Sequence, residues 1–262
     1  MRYIESKENP EIKKLKRLAE KSAREKEGLF VIEGERLVFD AIKNGAEIES
    51  VYLDEDFKFD KDLGAKVFKL SKKLFKSVSQ TQTPQGIMAA VKIKKAAFSD
   101  LKIKDKSLVV VCENLQDPGN LGTIIRTADS AGACGVILTK GCVDLYNPKV
   151  VRSTMSSIFN LPIVFSKTID ESISYLKKVG FLVIGGHLSE KTQDFYSLNL
   201  RQKCAFIIGN EGAGLSDTAA GLCDKLVKIP MLGKAESLNA AVSAAIFMYE
   251  HVRQNYKNQS TK

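Results

Sequence analysis

Apolar positions in this chain change character part-way along it. At first they are spaced out among many charges; from residue 107 they gather into dense β-branched runs. Ile12, Leu15, Leu18 and Ala19 recur at helical spacing among Lys and Glu, which predicts an amphipathic first helix. The run 29–32 predicts a short strand ended by Glu33-Gly34, and a helix follows from about Glu35 to Lys43, stopped by Asn44-Gly45 in the manner of a C-cap. Strands at 50–53 and 66–69, a basic helix 72–76 capped by Ser71, and a strand at 86–91 complete a small α/β unit. Lys92 to Lys106 is polar, carries six lysines and has little periodicity, so it reads as a linker. Beyond it the pattern is strand, helix, strand, helix. The runs 108–111, 136–138, 181–184 and 205–208 are nearly continuous, as strands of a parallel sheet buried on both faces are. Helices are predicted near 122–131, 149–157 and 170–178, with a long last one from about Ser237 to Arg253. The expected organisation is a domain over 1–92, a linker over 93–106 and a second domain over 107–262.

Composition sharpens this picture. The 262 residues are 44% hydrophobic, enough for two packed cores and too apolar for a globally disordered chain. The formal net charge of +9 points to a polyanionic partner. Residues 1–104 hold 23 Lys/Arg against 17 Asp/Glu, so the first domain is the better candidate for holding phosphates. The five cysteines are odd in number and form no CxxC pair; Cys112 and Cys204 lie inside apolar runs, where a thiol acts as a small hydrophobe. A reducing compartment follows. The N-terminus, Met1-Arg-Tyr-Ile-Glu-Ser-Lys, lacks the apolar core of a signal peptide, and the most apolar stretch, 240–249, is about half the roughly 20 residues a span requires. The expectation is a soluble cytoplasmic protein with no membrane partner.

Three segments place small or amide residues at the ends of apolar runs. The first is Asn114-Leu-Gln-Asp-Pro-Gly-Asn-Leu-Gly-Thr-Ile-Ile-Arg126. Here a strand gives way to an Asp-Pro-Gly-Asn turn and a helix. Asn120 suits a helix cap and equally a ligand amide, while Arg126, set among apolar residues, is either a solvated helix charge or the holder of an anion such as an RNA phosphate. The second is Ile207-Ile-Gly-Asn-Glu-Gly-Ala-Gly-Leu215. Its glycines permit close backbone approach, but it is neither GxGxxG nor a P-loop, and it follows a late strand, which disfavours a dinucleotide fold. Glu211 is either surface decoration or a ligand group at the carboxyl end of a sheet strand. The third is Ile229-Pro-Met-Leu-Gly-Lys-Ala-Glu-Ser-Leu-Asn239, in which Ser237 suits the N-cap of the last helix. Small residues along that helix suit close helix approach and a dimer interface. The two histidines, His187 and His251, are too few and too separated for a metal site, so no metal is expected; His187, after Gly185-Gly186 at a strand end, either borders the site or, the preferred reading, is a simple loop residue.

In this order the three segments resemble the SpoU-type (TrmH-like) RNA 2′-O-ribose methyltransferases, over about residues 107–254. Phe30-Val-Ile-Glu-Gly-Glu-Arg-Leu37 is similar to the RNA substrate-binding domain often fused to them, an α/β domain with a ribosomal-protein-like fold. The resemblance implies a C-terminal α/β domain with a trefoil-knotted parallel sheet (SPOUT) and a homodimer built through it. It implies S-adenosyl-L-methionine as cofactor, held at Gly209, Asn210, Ile229 and Leu238. It implies a catalytic set of Asn120, Arg126, Glu211, Ser237 and Asn239, and it puts the stretch 149–153 near the RNA. The reaction would move a methyl from a sulfonium to a ribose 2′-oxygen. The family's proposed base is the arginine, here Arg126. A guanidinium pKa above about 12 favours instead a grip on phosphate and stabilisation of the developing alkoxide. Large-subunit ribosomal RNA is the first expected substrate and transfer RNA the second; a non-catalytic RNA-binding or ribosome-assembly protein is the reading from another class.

Overall fold

The computed structural model describes residues 2–58, 64–187 and 192–256. They form two compact units. The first runs up to Lys94 and takes in Asp144–Phe159; the second holds Lys95–Val143 and the chain from Asn160.

In the first unit, β1 (Arg2–Ile4), α1 (Pro10–Arg17), α2 (Lys21–Glu27), β2 (Leu29–Glu33), α3 (Glu35–Lys43), β3 (Ile48–Asp54), β4 (Lys66–Leu70), α4 (Lys72–Val78) and β5 (Ile87–Lys92) follow in chain order. The sheet has the order β1-β4-β3-β5-β2, with β5 antiparallel to both neighbours. The predicted period of α1 is met: Ile12 and Leu15 are buried while Lys13 and Lys16 face water and Lys14 pairs with Glu49 at 3.3 Å. Ser71 caps α4 by accepting from the Leu74 N–H. The segments β1 and α2, absent from the sequence reading, are short and carry too few apolar positions to set a period.

The second unit is built from β6 (Leu108–Cys112), α5 (Pro118–Ser130), β7 (Gly135–Thr139), α6 (Pro148–Ser153), β8 (Ile163–Ser166), α7 (Ile169–Lys178), β9 (Leu182–Gly186), β10 (Gln193–Asp194), β11 (Cys204–Ile208), α8 (Asp217–Leu222), β12 (Lys225–Lys228) and α9 (Ala240–Asn255), except that α6 packs with the first unit. Seven strands pair in the order β10-β12-β9-β11-β6-β7-β8, every pair parallel. All residues of β6, β7 and β11 are buried, as their unbroken β-branched runs require in a sheet covered on both faces. From β6 the chain proceeds outward through β7 to β8, while β9 and β11 lie on the other side. The order therefore reverses between β6 and β11, and the crevice beyond the carboxyl ends of such neighbours is where open α/β sheets bind ligands.

The stretch 95–106 lies against the second unit. Ala96 bridges Val164, Leu101 is buried in the core, and the Tyr175 hydroxyl donates to the Phe98 carbonyl at 3.0 Å. Asp144–Phe159, although flanked in sequence by β7 and β8, joins the core of the first unit. Val151 packs with Phe30, Ile32 and Val38, and Tyr146 and Phe159 meet the Phe30 ring at centroid distances of 4.7 and 6.2 Å.

Candidate active site

The loops after β6 and β11 meet where the strand order reverses, and α9 begins beside them. Asp117, immediately before Pro118, caps α5 by accepting from the Asn120 N–H at 2.7 Å. Asn120 is therefore not the cap its position suggested. It lies on the first turn, and its amide is free to point across the loops. Likewise the N-cap of α9 is Asn239, whose Oδ1 accepts from Ala241 and Val242, and not Ser237. In both cases two cap-competent residues stand within three positions, and cap propensity alone does not choose between them. The Asp-Pro pair, with its proline at the first helical position, is the signal that could have found the cap of α5.

Freed from capping, the Asn120 amide joins two of the three loops to its own. Its Nδ2 donates to Glu211 Oε1 at 3.0 Å, and its Oδ1 accepts from Asn239 Nδ2 at 2.9 Å. Glu211 also accepts from the backbone N–H of Asp117 at 2.8 Å and of Gln116 at 3.0 Å. Burial by itself would raise the Glu211 carboxyl, but the donations from Asn120, Gln116 and Asp117 outweigh it and hold the group below its ordinary value of 4.5. The chain Glu211–Asn120–Asn239 fixes the direction of both amides, because each amide nitrogen faces an acceptor and each amide oxygen a donor.

Glu211, at one end of this chain, lines a cavity of about 320 Å³. Gly209, Asn210, Glu211, Ile229, Ser237 and Leu238 line it, so the four residues expected to hold the cofactor border one cavity. His187, one of whose two readings put it at the border of the site, also lines it, as do Lys228, Glu236 and Phe247, which the sequence did not single out. Loop 209–215 closes on itself: Asn210 and Gly214 exchange backbone hydrogen bonds of 2.9 Å each way. A Cβ at Gly209 would stand 2.2 Å from the Gly214 carbonyl oxygen, so only glycine allows this turn. The Asn210 side chain is used within the protein. Its Nδ2 donates to the Asn114 carbonyl and its Oδ1 accepts from Gly212 and Ala213, so it shapes the wall.

Arg126 stands apart. It is exposed on α5, six residues beyond Asn120, or about 9 Å along the axis. Its guanidinium has no partner among the described residues, which leaves it available to an anion. Ser237 lines the cavity without joining the amide chain.

Comparison with known proteins accords with this geometry. The model of the SpoU rRNA Methylase family matches residues 107–249, and that of the MRM3-like substrate binding domain matches residues 9–89. The chain is similar to the 23S rRNA (guanosine(2553)-2′-O)-methyltransferase RlmP of Bacillus subtilis (strain 168), with 36% identity over 97% of this chain and 100% of that one. It is 30% identical to the 23S rRNA (uridine(2479)-2′-O)-methyltransferase of Streptomyces viridochromogenes over 93% and 89% of the two chains. The crystal structure of an AdoMet-bound rRNA methyltransferase from Sinorhizobium meliloti superposes with a TM-score of 0.89 at 29% identity, covering 98% of this chain and 99% of that one.

Proposed function

The chain belongs to the SpoU rRNA methylase family, and from that premise we propose that it transfers a methyl group from S-adenosyl-L-methionine to a ribose 2′-hydroxyl of large-subunit ribosomal RNA. The observation that carries the reading is the Glu211–Asn120–Asn239 chain, which ties together three loops and has its Glu211 end in the wall of the cavity.

The cavity suits the cofactor. Its volume falls at the small end of the range of about 300–1,000 Å³ usual for small-molecule sites. Ile229, Met231 and Leu238 offer apolar surface to a flat ring, and the carboxylates of Glu211 and Glu236 suit a cation. The bound cofactor supplies an electrophilic methyl on a positively charged sulfonium. Gly209, Ile229 and Leu238 hold it through the wall they form, and Asn210 stiffens that wall. Asn120 and Asn239 orient the ribose from the fixed amide chain, with Ser237 beside them on the third loop. Arg126 grips a phosphate of the RNA and stabilises charge developing on the 2′-oxygen as that hydroxyl's proton passes to solvent, a role suited to an exposed cation without a partner among the described residues. Holding nucleophile and methyl in line is the main source of rate, worth about 7–11 kcal/mol for well-oriented pairs.

We extend the reading to a homodimer. A groove of about 470 Å³ runs between α5 and α9, lined by Thr123, Val242, Ala245, Ile246 and Tyr249, with Asn120 and Asn239 at its edge. A second copy seated there would bury an apolar helix face beside the amide chain. The knotted path of the chain, the first unit's role in presenting RNA, and residence in the cytoplasm, where ribosomal RNA is found, belong to the same proposal.

The test is to map 2′-O-methylation of ribosomal RNA in cells lacking the protein. One large-subunit methyl is expected to vanish, to return with the intact gene, and to stay absent with Arg126→Ala, whose purified product still binds cofactor. An unchanged methylation map removes the proposed substrate, and full restoration by Arg126→Ala removes Arg126 from the mechanism.

A further inference from the structure

Glu113 is a carboxylate in the core, 4% exposed, at the point where β6 ends. An acidic side chain is expensive to bury unless donors occupy its oxygens. Here both are occupied by one residue on another segment. Oε2 accepts from the Ser216 N–H at 3.0 Å, and Oε1 accepts from the Ser216 hydroxyl at 2.6 Å. Ser216 is the residue at which the glycine loop leaves the cavity and α8 starts, and its Oγ also caps that helix by accepting from Ala219 at 3.1 Å.

The position of this clamp gives it a consequence for the cavity. Glu113 continues β6 beside β11, its N–H donating to the Ile208 carbonyl at 2.8 Å, so it is fixed to the strand from which the loop departs. The loop is pinched into a ring by the Asn210–Gly214 pair and has three ties to the end of β6. Asn210 bonds the Asn114 carbonyl, Glu211 bonds Gln116 and Asp117, and Ser216 bonds Glu113. The first two ties hold Asn210 and Glu211, which line the cavity. The third holds its exit, next to Leu215 in the core, and it is the most buried of the three.

We propose that Glu113 is a positioning residue for methyl transfer: its carboxylate clamps Ser216 and so sets the loop wall at Gly209 and Glu211 against which the cofactor lies. The proposal rests on reading the cavity as the S-adenosylmethionine site. Because Glu113 acts through the wall and not on the reacting atoms, its loss acts on cofactor affinity and spares turnover once the site is filled.

The test uses the full-length protein, S-adenosylmethionine titrated by calorimetry, and steady-state methyl transfer to ribosomal RNA from cells lacking the protein. Glu113→Ala is expected to raise the Kd and KM for the cofactor about tenfold, the scale of one hydrogen bond to a charged group, with kcat at saturating cofactor little changed. Glu113→Gln, which keeps an acceptor for the Ser216 N–H, recovers most of the affinity. Ser216→Ala weakens binding in the wild-type background and has no further effect on Glu113→Ala. Unchanged cofactor affinity in Glu113→Ala, or a fall in kcat with KM unmoved, overturns the proposal. Should Glu113→Ala fail to fold, Glu113→Gln and Ser216→Ala decide it: affinity equal to wild type in both overturns it. Wild-type protein that binds no cofactor, with or without RNA, instead overturns the reading of the cavity itself.

Discussion

At the scale of single residues, the site depends on which polar groups are left over once the helix ends are satisfied. Asp117 supplies the cap of α5 and so frees Asn120; Asn239 caps α9 with its oxygen and still has its nitrogen for Asn120. Glu211 anchors the other end as a carboxylate held below its ordinary value by three donated hydrogen bonds. The sign of its linkage to stability follows. A carboxyl whose folded value is depressed contributes stability above its unfolded value, and that contribution is lost as pH falls through the folded one. The thermal midpoint of wild type should therefore exceed that of Glu211→Gln by a constant margin above about pH 5, and the margin should close as the pH drops below the ordinary 4.5. A margin that persists undiminished into strong acid would show that the carboxylate charge is not what the donors hold.

At the scale of elements, how much could be read depended on what each element is made of. The strands β6, β7 and β11 were legible because a strand buried on both faces must be apolar throughout, and few other structures demand that. The three site loops were legible because glycine and amide residues there interrupt such runs. Their internal bonding was not, since whether Asn120 or Asp117 caps a helix depends on a competition settled by tertiary partners. Glu113 was overlooked because a lone acid at a strand end has no period to mark it. The helix α9 illustrates both limits. Ala244, Phe247 and Met248 bury one stripe, with Phe247 against Phe195 and Phe206 at 4.5 and 5.4 Å, yet Val242 and Tyr249 on another face are 47% and 48% exposed. Such residues on a helix rich in alanine suit contact with a second copy. Val242→Glu or Tyr249→Arg is expected to convert a dimer to monomer in light scattering, without unfolding α9 by circular dichroism. A wild-type protein that is monomeric at every concentration tested would dispose of the dimer.

At the scale of the whole molecule, chain order and packing order differ. The stretch Asp144–Phe159 lies inside the span matched by the methylase family yet completes the core of the first unit. No sequence pattern announces this, because Val150 and Val151 would serve either core equally well. Arg24 shows how firmly the stretch is held: its side chain is 5% exposed, donates to the Leu18 and Ala19 carbonyls, and pairs with Asp144. Ser156 donates to Asp40 at 2.7 Å. Removing one partner from a buried ion pair costs about 3–5 kcal/mol, and re-exposing a buried side chain such as Val151 about 1.5–3 more. That is comparable to the whole stability of a small domain, about 5–15 kcal/mol. A fragment ending at Lys94 is therefore expected to lack fixed tertiary structure, although its strands and helices are encoded within it. Near-ultraviolet circular dichroism and urea unfolding measure this directly. The same fragment with residues 144–159 joined by a flexible linker should regain a cooperative transition, and changing Arg24 to Ala in that joined form should weaken it again. If the shorter fragment unfolds as cooperatively as the joined one, Asp144–Phe159 rests on a core that stands without it.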